Sequence, residues 1–92
     1  MTHILIIEDE ENIRTGLKDL LEAEHYQVTA AEDGKTGLSL ALSSAADLVI
    51  LDIMLPHVDG YEILKAIRDA NLDTPVILLS AKTQELDKVL GF

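Results

Sequence analysis

Acidic side chains end two apolar runs of this sequence, and carboxylates gathered at one place can hold a cation or act as nucleophiles. Asp52 closes the run 48–51, and Glu8 and Asp9 follow the run His3–Ile7. Both runs are short enough to be strands that are buried on both faces. A carboxylate at the carboxyl end of such a strand lies where open α/β sheets place their functional groups. We therefore take these three acids as the candidate chemical centre.

If the first and third strands are neighbours in a parallel sheet, the three carboxylates converge in one crevice. Like charges at that spacing are unfavourable unless a cation lies between them. Oxygen ligands of this kind suit Mg²⁺, which keeps several waters and takes one or two carboxylates. A carboxylate that is not fully neutralised could then act as a nucleophile and form an aspartyl phosphate. Ser80, which follows a fourth apolar run, could help to hold the phosphoryl oxygens.

The same residues also have structural interpretations. Glu10 and Glu11 are favoured by the dipole of a helix that begins there, and we assign them that role. Asp52 alone could be a turn or cap residue, and the pair Asp59 and Gly60 predicts a turn and a helix cap rather than ligands. The functional interpretation is favoured because these residues occur together. Acids and a hydroxyl stand at the ends of several predicted strands, along one edge of the sheet.

The apolar pattern predicts four strands that alternate with four helices. The strands are predicted at His3–Ile7, 26–30, 48–51 and Val76–Leu79, and the helices at 12–24, 35–43, 60–70 and from Thr83 onward. Strands separated by helices predict right-handed βαβ units and a parallel sheet, which is an α/β fold. Arg14 is predicted on the outer face of the first helix, and Tyr61, Leu64 and Ile67 on the inner face of the third.

Composition limits the possible functions. The chain has 92 residues, 48% of them hydrophobic, which is enough for one small domain over residues 1–92. Its formal charge of −10 argues against nucleic acid or an anionic membrane as a direct partner. It contains no cysteine and no apolar run long enough to span a bilayer. With no basic leader at the start, the expected location is the cytoplasm.

Three stretches, in order, resemble the receiver domain of bacterial two-component response regulators. ILIIEDE matches the family's first strand with its acidic pair, DLVILDIMLPHVDGYEIL matches its phosphoacceptor strand, loop and third helix, and TPVILLSAK matches its fourth strand with the switch hydroxyl. The sequence of these stretches is most similar to that of receivers that carry a winged-helix DNA-binding domain. The resemblance covers essentially the whole chain. It implies a flavodoxin-like, doubly wound parallel sheet, with the order 2-1-3-4 for these four strands.

The resemblance also implies roles for individual residues. Asp52 would be phosphorylated by a partner histidine kinase. Glu8, Asp9 and the backbone carbonyl of Met54 would join Asp52 as Mg²⁺ ligands, and Ser80 would be the hydroxyl that moves onto the phosphoryl group. Such a protein is a phosphoacceptor rather than an enzyme, with at most self-catalysed phosphotransfer and dephosphorylation. It would control an output domain, and DNA would be contacted only through an effector domain outside these 92 residues.

The sequence departs from the family after the fourth strand. The family has a fifth strand, which ends in an invariant lysine beside an aromatic switch residue, and a fifth helix. Lys82 lies in a different loop and does not correspond to that lysine. We therefore expect an incomplete receiver domain that is phosphorylated weakly. Without a fifth strand, Val76–Leu79 would be an apolar edge strand, which predicts self-association.

Alternative functions follow from the same residues. One is a truncated fragment that folds or oligomerises without signalling. Another is a phosphatase-like enzyme with an aspartate nucleophile, although Met54 stands where such enzymes place a second acid. A flavin-binding flavodoxin-like protein would need a Ser/Thr/Gly-rich phosphate loop after the first strand. Here that loop runs from Glu8 to Glu11 and would repel phosphate.

Overall fold

Four strands alternate with three helices in the part of the chain that the structure describes. The structure, a computed structural model, describes residues 2–43, 46–55, 58–70 and 73–79. The strands are β1 His3–Ile7, β2 Gln27–Ala31, β3 Leu48–Asp52 and β4 Val76–Leu79, and the helices are α1 Glu11–Ala23, α2 Gly34–Ser43 and α3 Gly60–Asp69. The predicted last helix, from Thr83, lies outside the described residues.

All four strands are parallel and form one sheet in the order β2-β1-β3-β4. This order confirms the predicted doubly wound topology. Ile7 pairs with Leu51 between β1 and β3, and Asp52 pairs with Leu79 between β3 and β4. The two acid-bearing strands are therefore neighbours, which is the condition that the convergence of their carboxylates required.

Side chains from the central strands alternate between two apolar layers. On one face, Leu5, Ile7, Val49 and Leu51 pack with Ala41 of α2 and with Ile63 and Ile67 of α3. On the other face, Ile4, Ile6 and Ile50 pack against Leu17 and Leu21 of α1. Burial on both faces explains why these strands are continuous apolar runs rather than alternating ones. None of the described helices is long and apolar enough to cross a membrane.

The end of α1 displaces β2 by one residue from its predicted position. His25 has a φ of 70°, and its N–H donates to Glu22 O at 3.0 Å, while the Tyr26 N–H donates to Leu21 O at 3.1 Å. These two bonds form a Schellman motif, which satisfies the last carbonyls of the helix. Tyr26 is used by the helix cap, so β2 begins at Gln27 instead.

The cap of α3 decides which of its residues face the sheet. Asp59 is the N-cap residue and accepts a hydrogen bond from the Tyr61 N–H at 2.8 Å. The helix then turns Ile63 and Ile67 into the core, while Tyr61 is 56% exposed. The prediction of a cap at Asp59 is confirmed, and the placement of Tyr61 on the inner face was wrong. Ile63, which is one turn before Ile67, occupies that face.

Gly37 allows α2 to lie directly on β1. A Cβ atom at Gly37 would stand 2.6–2.7 Å from three side-chain atoms of the buried Ile7. Real Cβ atoms do not approach that closely, so a larger residue would push the helix away from the sheet. A Cβ atom at Gly16, in the middle of α1, would meet nothing within 4 Å.

These two glycines give a matched test of the helix–sheet contact. Gly37→Ala should lower the free energy of unfolding by about 1–2 kcal/mol, because overpacking against Ile7 outweighs the gain in helix propensity. Gly16→Ala has only the propensity gain and should raise it by up to about 1 kcal/mol. Urea denaturation followed by circular dichroism measures both values. A Gly37→Ala variant as stable as Gly16→Ala would show that the contact is not tight.

Candidate functional site

Two neighbouring strands place carboxylates together at the carboxyl edge of the sheet. Glu8 directly follows β1, and Asp52 is the last residue of β3; each side chain is only 1% exposed. Asp9 is partly buried beside them. One carboxylate oxygen from each of the three residues lies within 4.8 Å of the others. The structure therefore brings together three of the residues singled out in the sequence.

The backbone after β1, here called the acidic loop (residues 8–10), is held at several points. The Glu8 N–H continues the sheet by donating to Ala31 O at 3.1 Å, and the Glu10 N–H donates to Glu8 Oε1 at 3.2 Å. Arg14 reaches back from α1, and its Nη1 donates to Glu8 O at 3.1 Å and to Asp9 O at 3.2 Å. These bonds fix both the path of the loop and the direction of the Glu8 side chain.

The backbone after Asp52 is equally constrained. The Met54 N–H donates to Asp52 Oδ1 at 3.0 Å, and the Ile53 N–H donates to Leu79 O of β4 at 3.0 Å. The Gly60 N–H at the start of α3 donates to Ile53 O at 2.9 Å. A Cβ atom on Gly60 would lie 2.5 Å from Ile53 Cα and 2.6 Å from Asp52 O. Only glycine therefore lets α3 begin against the Asp52 backbone.

Charge makes this cluster a candidate cation site. Two of its three acids are buried, and carboxylates that close to one another disfavour their shared ionised state. A hard divalent cation offsets that cost and takes carboxylate, carbonyl and water oxygens as ligands. The donor set of Glu8, Asp9 and Asp52 therefore fits Mg²⁺. The Met54 carbonyl as a further ligand stays a prediction, and Ser80 and Lys82 lie outside the described residues.

Two residues of this site were assigned other roles from the sequence. Arg14 was placed on the outer face of α1, yet it is half-buried and bonded to the acidic loop. Its position one turn into a helix that follows two acids was the available signal. Gly60 was assigned to the turn and cap alone, and its close approach to Asp52 depends on where α3 packs. Helical periodicity does not report either contact, because both involve backbone atoms of other segments.

Comparison with known proteins assigns this arrangement to a family. Residues 4–91 match a family described as the response regulator receiver domain. The chain is 48% identical over 91 residues to response regulator ArlR of Staphylococcus saprophyticus and 51% identical over 89 residues to response regulator SaeR of Staphylococcus epidermidis. The two alignments cover 99% and 97% of this chain, but only 41% and 38% of the length of the two relatives. The chain thus spans about two fifths of their length.

Solved structures share the fold. The receiver domain of the Francisella response regulator 1452 superposes with a TM-score of 0.84 at 34% identity, over 99% of this chain and 75% of that one. A chain in the complex of histidine kinase ThkA with response regulator protein TrrA gives 0.82 at 42% identity, over 91% and 72%. TrrA of Thermotoga maritima in complex with Mg²⁺ and BeF gives 0.74 at 30% identity, over 99% and 97%.

Proposed function

We propose a phosphoacceptor function for this chain, which belongs to the response regulator receiver domain family of two-component signalling. Asp52 accepts a phosphoryl group from a histidine kinase, and the phosphorylated state controls an output domain. The observation that carries the proposal is the buried Asp52 carboxylate at the end of β3, gathered with Glu8 and Asp9. This is the kind of strand-end site at which parallel α/β sheets bind their ligands.

The transfer requires one nucleophile and little other covalent chemistry. An Asp52 carboxylate oxygen forms a bond to phosphorus in line with the breaking P–N bond of a phosphohistidine, and the imidazole of the kinase leaves. Catalysis of such a step is mostly positioning and charge neutralisation. The hydrogen bond from the Met54 N–H to Asp52 Oδ1 at 3.0 Å orients the carboxylate for it. The chain is thus a phosphoacceptor with at most self-catalysed transfer and hydrolysis, rather than an enzyme.

Glu8, Asp9, Asp52 and the backbone carbonyl of Met54 are the proposed Mg²⁺ ligands. When bound, Mg²⁺ supplies positive charge opposite the phosphoryl oxygens. Support comes from the three carboxylate oxygens that lie within 4.8 Å of one another and from the similar TrrA structure that is in complex with Mg²⁺ and BeF. We assign Ser80, the next residue after β4, as the hydroxyl that moves onto the phosphoryl group; this assignment rests on the resemblance to the family.

The partners follow from the family and from charge. Similarity to a chain in the complex of ThkA with TrrA supports a histidine kinase as the phosphoryl donor. The curated relatives are response regulators of which this chain spans about two fifths, so we assign DNA binding to a part of the protein outside this segment. The formal charge of −10 agrees with that assignment, since it disfavours contact with phosphate backbones.

A metal titration tests the proposed ligands. Asp9→Asn should weaken Mg²⁺ binding about tenfold or more, because it removes one of three converging carboxylates. Asp69→Asn is the matched control, since Asp69 is exposed on α3 and forms a surface ion pair with Lys65. Isothermal titration calorimetry with MgCl₂ measures both affinities. Equal binding by Asp9→Asn and the parent chain would remove the metal site from these residues.

Labelling with a small phosphodonor tests the acceptor. The 92-residue chain should take up weak, acid-labile and Mg²⁺-dependent label, which Asp52→Asn abolishes and Asp69→Asn keeps. Intact mass spectrometry detects the added phosphoryl group, and peptide mapping locates it. Label that persists in Asp52→Asn would place the acceptor elsewhere. Continuous release of phosphate over many turnovers would favour the phosphatase-like alternative.

We also propose that the 92-residue chain self-associates through β4. Among the described strands β4 has one neighbour, β3, and it consists of four apolar residues, of which Ile77 is 50% exposed. An apolar strand at the edge of the described sheet is a template for pairing with a second copy, and a two-fold dimer is the simplest outcome.

Sedimentation velocity tests this association. The parent chain should sediment as a dimer or larger species at tens of micromolar (order of magnitude), because among the described strands β4 is paired on one side only and is apolar. Ile77→Lys should dissociate it and lower its stability at the same time. Leu42→Lys, at a similarly exposed leucine on α2, should stay associated. A compact monomer for the parent chain would contradict the proposal.

A further inference from the structure

We propose that Arg14 is a positioning residue of the cation site, holding the acidic loop in the geometry in which Glu8 and Asp9 can act as ligands. This inference rests on the Mg²⁺ site of the proposed function and deepens it. It concerns a residue that is bonded to the backbone of Glu8 and Asp9 without being one of the proposed ligands. The contacts that carry it are the two hydrogen bonds from Arg14 Nη1 to the carbonyl oxygens of the acidic loop.

The two bonds restrain consecutive peptide groups. Arg14 Nη1 donates to Glu8 O at 3.1 Å and to Asp9 O at 3.2 Å. One nitrogen therefore restrains the two consecutive peptide groups that follow the acidic residues. Hydrogen bonds from a charged donor are stronger than neutral ones and are weakly screened in a partly buried setting. Arg14 is itself half-buried, which keeps the guanidinium in place.

The helix links Arg14 to the same loop by its backbone. The Arg14 N–H donates to Glu10 O at 2.9 Å, which is the first hydrogen bond of α1. The Glu10 N–H in turn donates to Glu8 Oε1 at 3.2 Å. The start of α1 therefore holds the loop by two kinds of hydrogen bond. The Arg14 side chain donates to two loop carbonyls, and the Glu10 N–H donates to a carboxylate oxygen of Glu8, a proposed ligand. A change in loop path at Arg14 would be transmitted to the Glu8 carboxylate.

Charge and position predict opposite effects of removing Arg14. A cation near the carboxylates repels Mg²⁺, so loss of its charge alone would tighten metal binding by Coulomb's law. Loss of the two hydrogen bonds would release the loop and weaken binding. Mutation of a residue that orients metal ligands commonly lowers the metal affinity by about 10–100-fold. Our proposal is that the loss of the two hydrogen bonds outweighs the loss of the charge. Whether Mg²⁺ binding becomes weaker or tighter therefore distinguishes the two effects.

Three variants separate these effects. Arg14→Met, similar in reach but without donors or charge, should bind Mg²⁺ about tenfold more weakly. Arg14→Lys should keep most of the affinity, because both bonds come from a single nitrogen and an ammonium carries three donors. Lys18→Met is the matched control: it removes the same charge one turn along α1, from an exposed pair with Glu22 at 3.5 Å.

The readouts are calorimetry with MgCl₂ and the amide spectrum of the ¹⁵N-labelled chain. The Glu10 amide, which is bonded to Glu8 Oε1, should shift in Arg14→Met and stay in place in Arg14→Lys and Lys18→Met. If Arg14→Met does not fold, Arg14→Gln replaces it and should bind more weakly than Arg14→Lys. Equal or tighter binding by the uncharged variant would overturn the positioning role alone. A parent chain that binds no Mg²⁺ would overturn this inference together with the proposed metal site.

Discussion

The structure depends on one constraint: the parallel pairing of β1 with β3 brings carboxylates of like charge to the same buried edge. Ile7 pairs with Leu51, so the next residue on each strand, Glu8 and Asp52, must emerge side by side. Apolar side chains on both faces leave these strands no other position in the fold. The energy gained by burying the apolar layers thus holds together charges that would otherwise separate. That opposition is the physical basis for the cation site proposed at this edge.

Backbone contacts around the carboxylates turn this proximity into a defined geometry. The acidic loop is bonded to β2 through Glu8 and to α1 through Arg14, while the backbone after Asp52 is bonded to β4 and to the start of α3. Gly60 allows the last of these contacts, because a side chain there would overlap the Asp52 peptide. Each of these four surrounding elements therefore supports part of the site. Buried carboxylates held in this way cannot relax apart, so a ligand that neutralises them gains the full benefit of their convergence.

The proposed site combines a carboxylate at the end of a central strand with a residue that follows the next strand. The described core fixes where the carboxylate of the proposed acceptor, Asp52, stands, and the sequence places the proposed switch residue, Ser80, directly after β4. Asp52 pairs with Leu79 across the sheet, and Ser80 is the residue that follows Leu79 in the sequence. If Asp52 is the acceptor, this pairing connects its phosphoryl group to β4, the edge strand of the described sheet.

The sequence by itself determined the class of fold, the strand-end acids and their proposed chemistry. Short apolar runs separated by amphipathic segments specify a parallel sheet, because only strands buried on both faces are apolar throughout. The resemblance of three motifs to receiver domains added the strand order, which the structure confirms. The strongest predictions were those in which residue type and position along a strand suffice, as for Asp52 at the end of β3.

Only the tertiary structure decided which backbone groups particular residues contact and which of them face the core. The start of β2 moved because Tyr26 completes the cap of α1, and Tyr61 faces outward because Ile63 and Ile67 fill the core side of α3. Arg14 proved to face the acidic loop rather than solvent. For Tyr26 and Arg14 the partner is a backbone carbonyl, and its position follows from how the chain folds around it. Side-chain periodicity reports which face of a helix is apolar, but it carries no information about where another segment's carbonyl lies.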